Sequence, residues 1–326
     1  NSGREHFLAF GEVFDTSKPH QNDGEHRVAS YLGSEARPEL NSIISFPLHH
    51  DFKTVFAQGF PTEHLAYRIR QHMTVYDDPY VVPTFIDNHD MERFLASGDR
   101  DGLHQALAAL LTLPGVPVIY QGTEQAMTAS REAMFEGGYG ADHDRFDRNG
   151  PLYDVIRELI GLRTSDPLFT RGDLNILASN RNGPGLLAYS RGYEGRQVVV
   201  LFNTASHPVL ANDVRVADQG AKLEVLYVNA GKPPVMRLDN NGRLTTELSG
   251  RRVLIAEVVY DDASSDVQHP PTIETQVEGQ TVVDELRLSG RAAPDGGRLL
   301  LVRNARLQDA IDVPVSSDGA WTHVRP

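Results

Sequence analysis

The apolar positions of this chain fall into two textures. Up to about residue 165, short apolar runs alternate with segments of helical spacing. The runs at 7–13, 43–46, 80–86 and 116–120 are each closed by glycine, proline or polar residues, as buried parallel strands are. Between them Leu103, Leu107, Leu110 and Leu111 recur at helical spacing, and Pro114-Gly115 stops that helix. Leu152, Val155, Ile156, Leu159 and Ile160 recur likewise, with Pro151 at a first helical position and Pro167 beyond the end. Residues 63–73 read as a further helix. Strand–helix alternation predicts an α/β region with a parallel sheet and right-handed crossovers.

From about residue 170 the period shortens. Runs at 186–189, 198–202, 223–228 and 253–259 are separated by turn signals such as Asn182-Gly183 and Asn241-Gly242, which predicts an antiparallel β domain. Pro270-Pro271 marks a linker, and residues 282–321 read as a small third β module. The expected fold class is therefore α/β followed by all-β, divided as residues 1–167, 168–262 and 263–326.

Composition narrows the chemistry. The chain has 326 residues, enough for two or three domains. Its formal net charge of −13 repels phosphate backbones and argues against general nucleic-acid binding. The absence of cysteine excludes disulfides, thiolate metal sites and a cysteine nucleophile. No run reaches the roughly 18 apolar residues of a membrane-spanning helix. The opening Asn1-Ser2-Gly3-Arg4 has no initiator Met and runs at once into Phe7-Leu8-Ala9-Phe10, so the chain reads as part of something longer or as a processed product.

Two carboxyls stand at the ends of expected strands. Glu12 follows Phe7-Leu8-Ala9-Phe10-Gly11, and Asp90 follows Thr84-Phe85-Ile86-Asp87-Asn88-His89. Burial at an apolar strand end would raise such a carboxyl's pKa, which suits a general acid. Paired carboxyls across a cleft are the equipment of glycoside hydrolysis. Taken singly, each is equally a helix cap or a turn residue.

The motifs around them resemble the α-amylase family of glycoside hydrolases. Gly11-Glu12-Val13-Phe14-Asp15 is similar to the family's fifth-strand motif, and Phe85-Ile86-Asp87-Asn88-His89-Asp90, followed by Arg93-Phe94, to its seventh. Gly115-Val116-Pro117-Val118-Ile119-Tyr120-Gln121-Gly122-Thr123-Glu124 resembles the eighth, and Phe46-Pro47-Leu48 fits the sixth-strand region. The resemblance implies the C-terminal half of a (β/α)8 TIM-type barrel, then an antiparallel β-sandwich domain. It implies a retaining reaction on α-1,4-linked glucans. Glu12 would be the general acid/base and Asp90 the transition-state stabiliser. His89 would bind the same sugar ring, Arg93 would orient Asp90 or a nearby carboxylate, and Phe14 would sit on the acceptor side. Tyr120 is expected to pack rather than stack on substrate, and Gly122 and Glu124 to be structural or rim residues.

The family's nucleophile lies in a Gly-x-Arg-x-Asp motif on the fourth strand, and no such segment occurs in this sequence. The first four strands and the calcium ligands that accompany them are expected to lie upstream, so Ca2+ is possible by resemblance but has no ligands identifiable here. The chain alone is expected to be catalytically incomplete, with an N-terminal half-barrel as the partner that completes it. His49-His50-Asp51 and Asp142-His143-Asp144 are possible metal ligands, though adjacent ligands rarely converge. Trp321, the single tryptophan, is expected in a small β core. Leu288-Ser289-Gly290-Arg291-Ala292-Ala293-Pro294 and Asp318-Gly319-Ala320-Trp321 suggest an Ig-like module, of a kind that favours an extracellular or periplasmic setting. Two rivals to an α-glucan hydrolase remain open. One is a cyclodextrin-forming transglycosylase, which Thr123-Glu124-Gln125-Ala126-Met127-Thr128 resembles locally; the other is a non-catalytic glucan-binding relative.

Overall fold

The structure, a computed structural model, describes residues 8–34 and 36–260, and beyond these 272–273, 286–291, 299–301, 311–316 and 320–325. Residue 7, the Pro270-Pro271 linker and parts of the third module's motifs (292–294 and 318–319) lie outside the described residues. The chain divides into two compact units, Asn1–Val259 and Tyr260–Pro326.

The first unit holds four very short strands in parallel pairs: β1 (Phe10–Gly11), β2 (Ser42–Ile43), β3 (Pro83–Phe85) and β4 (Val116–Val118). β1 pairs with β2 in parallel, and β3 with β4 in parallel. The two pairs are joined where the Ser45 N–H donates to the Pro83 carbonyl at 3.0 Å. The expected strand at 43–46 is cut short. Ser45 caps the next helix, its Oγ accepting from the Leu48 N–H at 3.4 Å, and Pro47 sits in the first turn.

The longer helices between and after these strands are α1 (Asp23–Ala29), α2 (Phe46–Phe52), α3 (Thr62–Val75), α4 (Arg100–Thr112) and α5 (Pro151–Ser165). α4 is buried along most of its length, from Gly102 to Thr112. Asp99 caps it, accepting from the Gly102 N–H at 2.6 Å. Beyond it Gly115 adopts φ +116°, where a Cβ would lie 2.8 Å from the Val82 carbonyl, so only glycine lets β4 approach β3 here.

The antiparallel region holds β5 (Asp173–Ser179), β6 (Leu186–Tyr193), β7 (Arg196–Asn203), β8 (Val209–Arg215), β9 (Ala221–Val228), β10 (Arg237–Leu238), β11 (Arg243–Leu248) and β12 (Val253–Tyr260). They form a five-stranded sheet ordered β9-β12-β7-β6-β5 and a three-stranded one ordered β8-β11-β10. Leu187, Tyr189, Val198, Val200, Phe202, Val253 and Ile255 share one apolar core with Leu103, Leu107, Leu110 and Phe56. Polar bonds join the same surfaces. Gln105 Nε2 donates to the Asn203 carbonyl at 2.8 Å, and Arg191 Nη1, from the sheet, donates to the Phe169 carbonyl at 3.0 Å. The α/β region and the antiparallel sheets are thus one packed body, because α4 buries apolar residues both toward the other helices and toward the sheet.

In the second unit, strands Leu286–Arg291 and Ala320–Arg325 pair antiparallel, with Gly290 opposite Trp321. Trp321 is buried, as a small β core requires. No described helix is long and apolar enough to cross a membrane.

Candidate active site

The expected site residues stand just beyond strand ends. Glu12 directly follows β1, and the segment from Asp87 to Arg93 follows β3. Parallel pairing within each couple and the Ser45–Pro83 bond bring the following segments to one end of the strands. An aromatic chain ties them together. Phe14 meets Phe46 edge-on at 5.1 Å, Phe46 meets Phe85 at 5.1 Å, and His49 stacks flat on Phe85 at 4.5 Å. Phe14 still leaves 63% of its surface to solvent, so the ring supports the Glu12 segment on one edge and faces water on the other.

Glu12 is exposed. This corrects the expectation of a carboxyl buried at an apolar strand end. β1 is only two residues long and pairs on one side, with β2, so little covers the residue that follows it.

His89 and Asp90 are both exposed and touch one another, with Nε2 to Oδ2 at 3.1 Å. Sequence reasoning missed the group that holds them. Arg131 Nη2 donates to Asp90 Oδ1 at 2.5 Å while its Nε donates to the His89 carbonyl at 2.9 Å. One guanidinium therefore fixes both the carboxylate and the backbone turn beneath it, which is the fork geometry arginine supplies. The only trace of Arg131 in the sequence was its position in the loop after the eighth-strand motif.

Arg93 meets a nearby carboxylate, the second of the two partners expected of it. Its side chain is fully buried, and its ion-pair partner is Asp87, at 3.8 Å, rather than Asp90. Its Nε donates to the Ala129 carbonyl at 2.7 Å and its Nη2 to the Gln121 carbonyl at 2.8 Å, and its guanidinium lies 4.5 Å from the Tyr120 ring centroid. With no solvent-facing surface it offers a sugar nothing directly; it braces the floor of the site. The backbone folds back after Asp87, carrying Arg93 under Tyr120. Asp87 itself is buried, accepting from the Phe94 N–H at 2.7 Å and the Thr123 hydroxyl at 2.8 Å. Tyr120 is a packed aromatic whose hydroxyl donates to the Ser130 carbonyl at 2.9 Å. Gly122 is buried at φ +85°.

The possible metal triplets resolve into other roles. Burial holds His49 neutral, pushing its pKa down to about 4. Asp51 binds Arg68 at 2.7 Å. Asp142 pairs with His143 at 2.5 Å in the open, and Asp144 accepts from the Glu136 N–H at 2.7 Å. Among the described residues no three His, Cys, Asp or Glu side chains converge as a metal site.

The segment carrying Glu12 is held from below. Arg68, fully buried on α3, pairs with Glu25 and Asp51 and donates to the Gln21 carbonyl at 3.0 Å. It also reaches the Ser17 and Lys18 carbonyls at 3.4 and 3.3 Å. A single guanidinium thus ties three carbonyls of the loop after Glu12 to the helical layer.

Residues 9–170 match the family model described as "Alpha amylase, catalytic domain". The chain is 37% identical over 144 residues to a cyclomaltodextrin glucanotransferase of Geobacillus stearothermophilus, covering 42% of this chain and 19% of that protein. It is 33% identical over 168 residues to an alpha-amylase of Niallia circulans, covering 50% of this chain and 30% of that one. The chain thus spans under a third of the length of either relative. Its fold is similar to the crystal structure of an alpha-amylase from Geobacillus thermoleovorans complexed with acarbose, at TM-score 0.63 and 22% identity, covering 79% of this chain and 54% of that one. Family model, curated relatives and fold agree with the strand-end motifs: through residues 9–170, this chain belongs to the α-amylase family.

Proposed function

We propose that these residues form the acid/base side of a retaining site on α-1,4-linked glucans, hydrolysing starch-like chains. The observation that carries this reading is the joint placement of an open Glu12 and a clamped His89–Asp90 pair at one end of the strands. Glu12, reached by solvent, gives its proton to the glycosidic oxygen as the C1–O bond breaks, then takes a proton from the attacking water. Asp90, oriented by Arg131, stabilises positive charge developing on the sugar ring and accepts from its hydroxyls. His89 donates to the same ring. Phe14 faces the acceptor side.

A retaining reaction also needs a carboxylate nucleophile about 5–5.5 Å from the acid. With no Gly-x-Arg-x-Asp segment in the sequence, we assign that group to a complementary half-barrel, these strands being the C-terminal half of a (β/α)8 barrel. The antiparallel sheets that follow are its β-sandwich domain, and residues 263–326 a linker and part of an Ig-like module. Exposed Leu8, Phe10, Val116 and Val118 on and beside β1 and β4 support a further layer there. Calcium, if used, belongs with that other half, and no step here depends on it. An extracellular or periplasmic setting suits a polymeric substrate. The 37% identity to a cyclomaltodextrin glucanotransferase favours one second reading, transfer of the glycosyl group to a sugar hydroxyl instead of water.

The test is product analysis on maltoheptaose and reducing-sugar release from starch. The chain alone is expected to be inactive, and active when co-expressed with the first four strands of a family member. Glu12→Gln in the complemented protein should lower turnover by at least the roughly 10²–10⁴ that general acid–base catalysis contributes. Unchanged turnover in that variant refutes the assignment of Glu12. Activity of the chain alone, lost with Glu12→Gln, would place the nucleophile within these residues. Cyclic or lengthened products decide for transfer.

A further inference from the structure

The loop after β4, residues 119–150, is longer than a strand–helix connection needs. Its root is bonded to the strand-end segments: Ser130 Oγ donates to the Met91 carbonyl at 2.7 Å, and Arg131 clamps Asp90 and His89. Its outer part is laced to itself. The Ala133 N–H donates to the Tyr139 carbonyl at 2.8 Å, the Arg145 N–H to the Met134 carbonyl at 2.7 Å, and Arg145 pairs with Glu132 at 2.6 Å. Gly137 and Gly140, both at positive φ, make the bends on either side of Tyr139. The backbone under Tyr139 is therefore held in place, yet its side chain is left in water at 79% exposure.

That side chain lines a cavity of about 500 Å3 together with His89, Asp90, Ser130, Arg131 and Glu132. The cavity thus sets one flat aromatic ring beside a dense group of hydrogen-bonding side chains. A pyranose ring has the matching surface, an apolar face of C–H groups rimmed by hydroxyls. An apolar peptide would bury the Asp90–Arg131 and Glu132–Arg145 pairs against groups that cannot hydrogen-bond them, and an anion would meet two carboxylates. A fixed ring also binds with little loss of side-chain freedom.

We infer that Tyr139 is a stacking platform for a glucose unit adjoining Asp90, making the loop after β4 one wall of the glucan site. The inference rests on the α-glucan reading above and adds a specificity-determining residue to it. Only the ring is required, so phenylalanine should serve and alanine should not.

The experiment is calorimetric titration of the full chain with maltoheptaose, which needs no turnover. Tyr139→Ala is expected to weaken binding about tenfold, about 1.4 kcal/mol, while Tyr139→Phe stays within about twofold. Circular dichroism should show both variants folded, since Tyr139 is exposed and the loop uses its backbone carbonyl, which both keep. If the native chain binds and Tyr139→Ala binds equally well, this inference falls while the α-glucan reading stands. If Tyr139→Phe loses as much as Tyr139→Ala, ring stacking is refuted in favour of a hydroxyl contact. If the native chain binds no maltoheptaose at millimolar concentration, both this inference and the reading beneath it are overturned.

Discussion

Replacing Arg68 by methionine tests the account of how the Glu12 segment is held. Arg68, Glu25 and Asp51 have side chains only 1%, 1% and 3% exposed, and the guanidinium is paired with both carboxylates. Methionine keeps the aliphatic stem and removes the charge. Two carboxylates are then left in the interior without a cation, along with the Ser17, Lys18 and Gln21 carbonyls. Breaking a buried pair in this way costs about 3–5 kcal/mol. At roughly 2–4 °C per kcal/mol for a unit of this size, Tm should fall by about 6–20 °C.

The deficit should depend on pH. Burial already raises Asp51 to about 6 against the pull of Arg68. Without the cation its folded pKa rises further above the unfolded value. A carboxyl raised in this way contributes stability that is present at low pH and lost as pH rises through the folded pKa. The variant's deficit should therefore be larger at pH 8 than at pH 5. Urea unfolding followed by circular dichroism at both pH values is the assay. Neutralising the whole cluster, as Glu25→Gln, Asp51→Asn and Arg68→Met together, should recover most of the loss, because no uncompensated charge remains. A loss under about 1 kcal/mol, or one that is the same at both pH values, would show that the cluster is not the constraint described.

Two further outcomes follow from buried groups. Burial lowers His49 and His72 to about 4, so both fold neutral while the unfolded chain protonates near 6.5; their stability is full above pH 6.5 and is lost as pH falls toward 4. At 1.36 kcal/mol per unit each withdraws about 3 kcal/mol, and Asp51 returns about as much as one of them, so urea unfolding should show a net loss across that window that His72→Leu makes shallower. Gly122→Ala places a Cβ 2.2 Å from Met127 Sδ at φ +85°, and should destabilise by about 1–3 kcal/mol in the same assay; an unchanged midpoint would mean the turn under Arg93 relaxes freely.

The sequence by itself carried everything that depends on neighbours along the chain. The body and end of α4 follow from leucine spacing and from Pro114-Gly115 as a stop, and the antiparallel texture after residue 170 from alternation and Asn-Gly turns. Glu12, His89 and Asp90 were legible because their motifs are contiguous and end strands. Even within that range the strand at 43–46 was overrun, since Ser45 and Pro47 start a helix sooner than the apolar run ends. β5, β8 and β11 went unread because polar residues interrupt their alternation.

Tertiary structure decided the pairings. Arg131 meets Asp90 across 41 positions, and Arg68 meets Glu25 across 43. Arg93, four residues from His89, turns away from it into the floor. Charge pairing is set by distance in space, and a chain of 44 acidic and 31 basic residues offers too many combinations for order along the sequence to choose among them. Backbone hydrogen bonds and side-chain periodicity are local and can be read residue by residue; which arginine steadies which carboxylate exists only once the strand ends have been brought together.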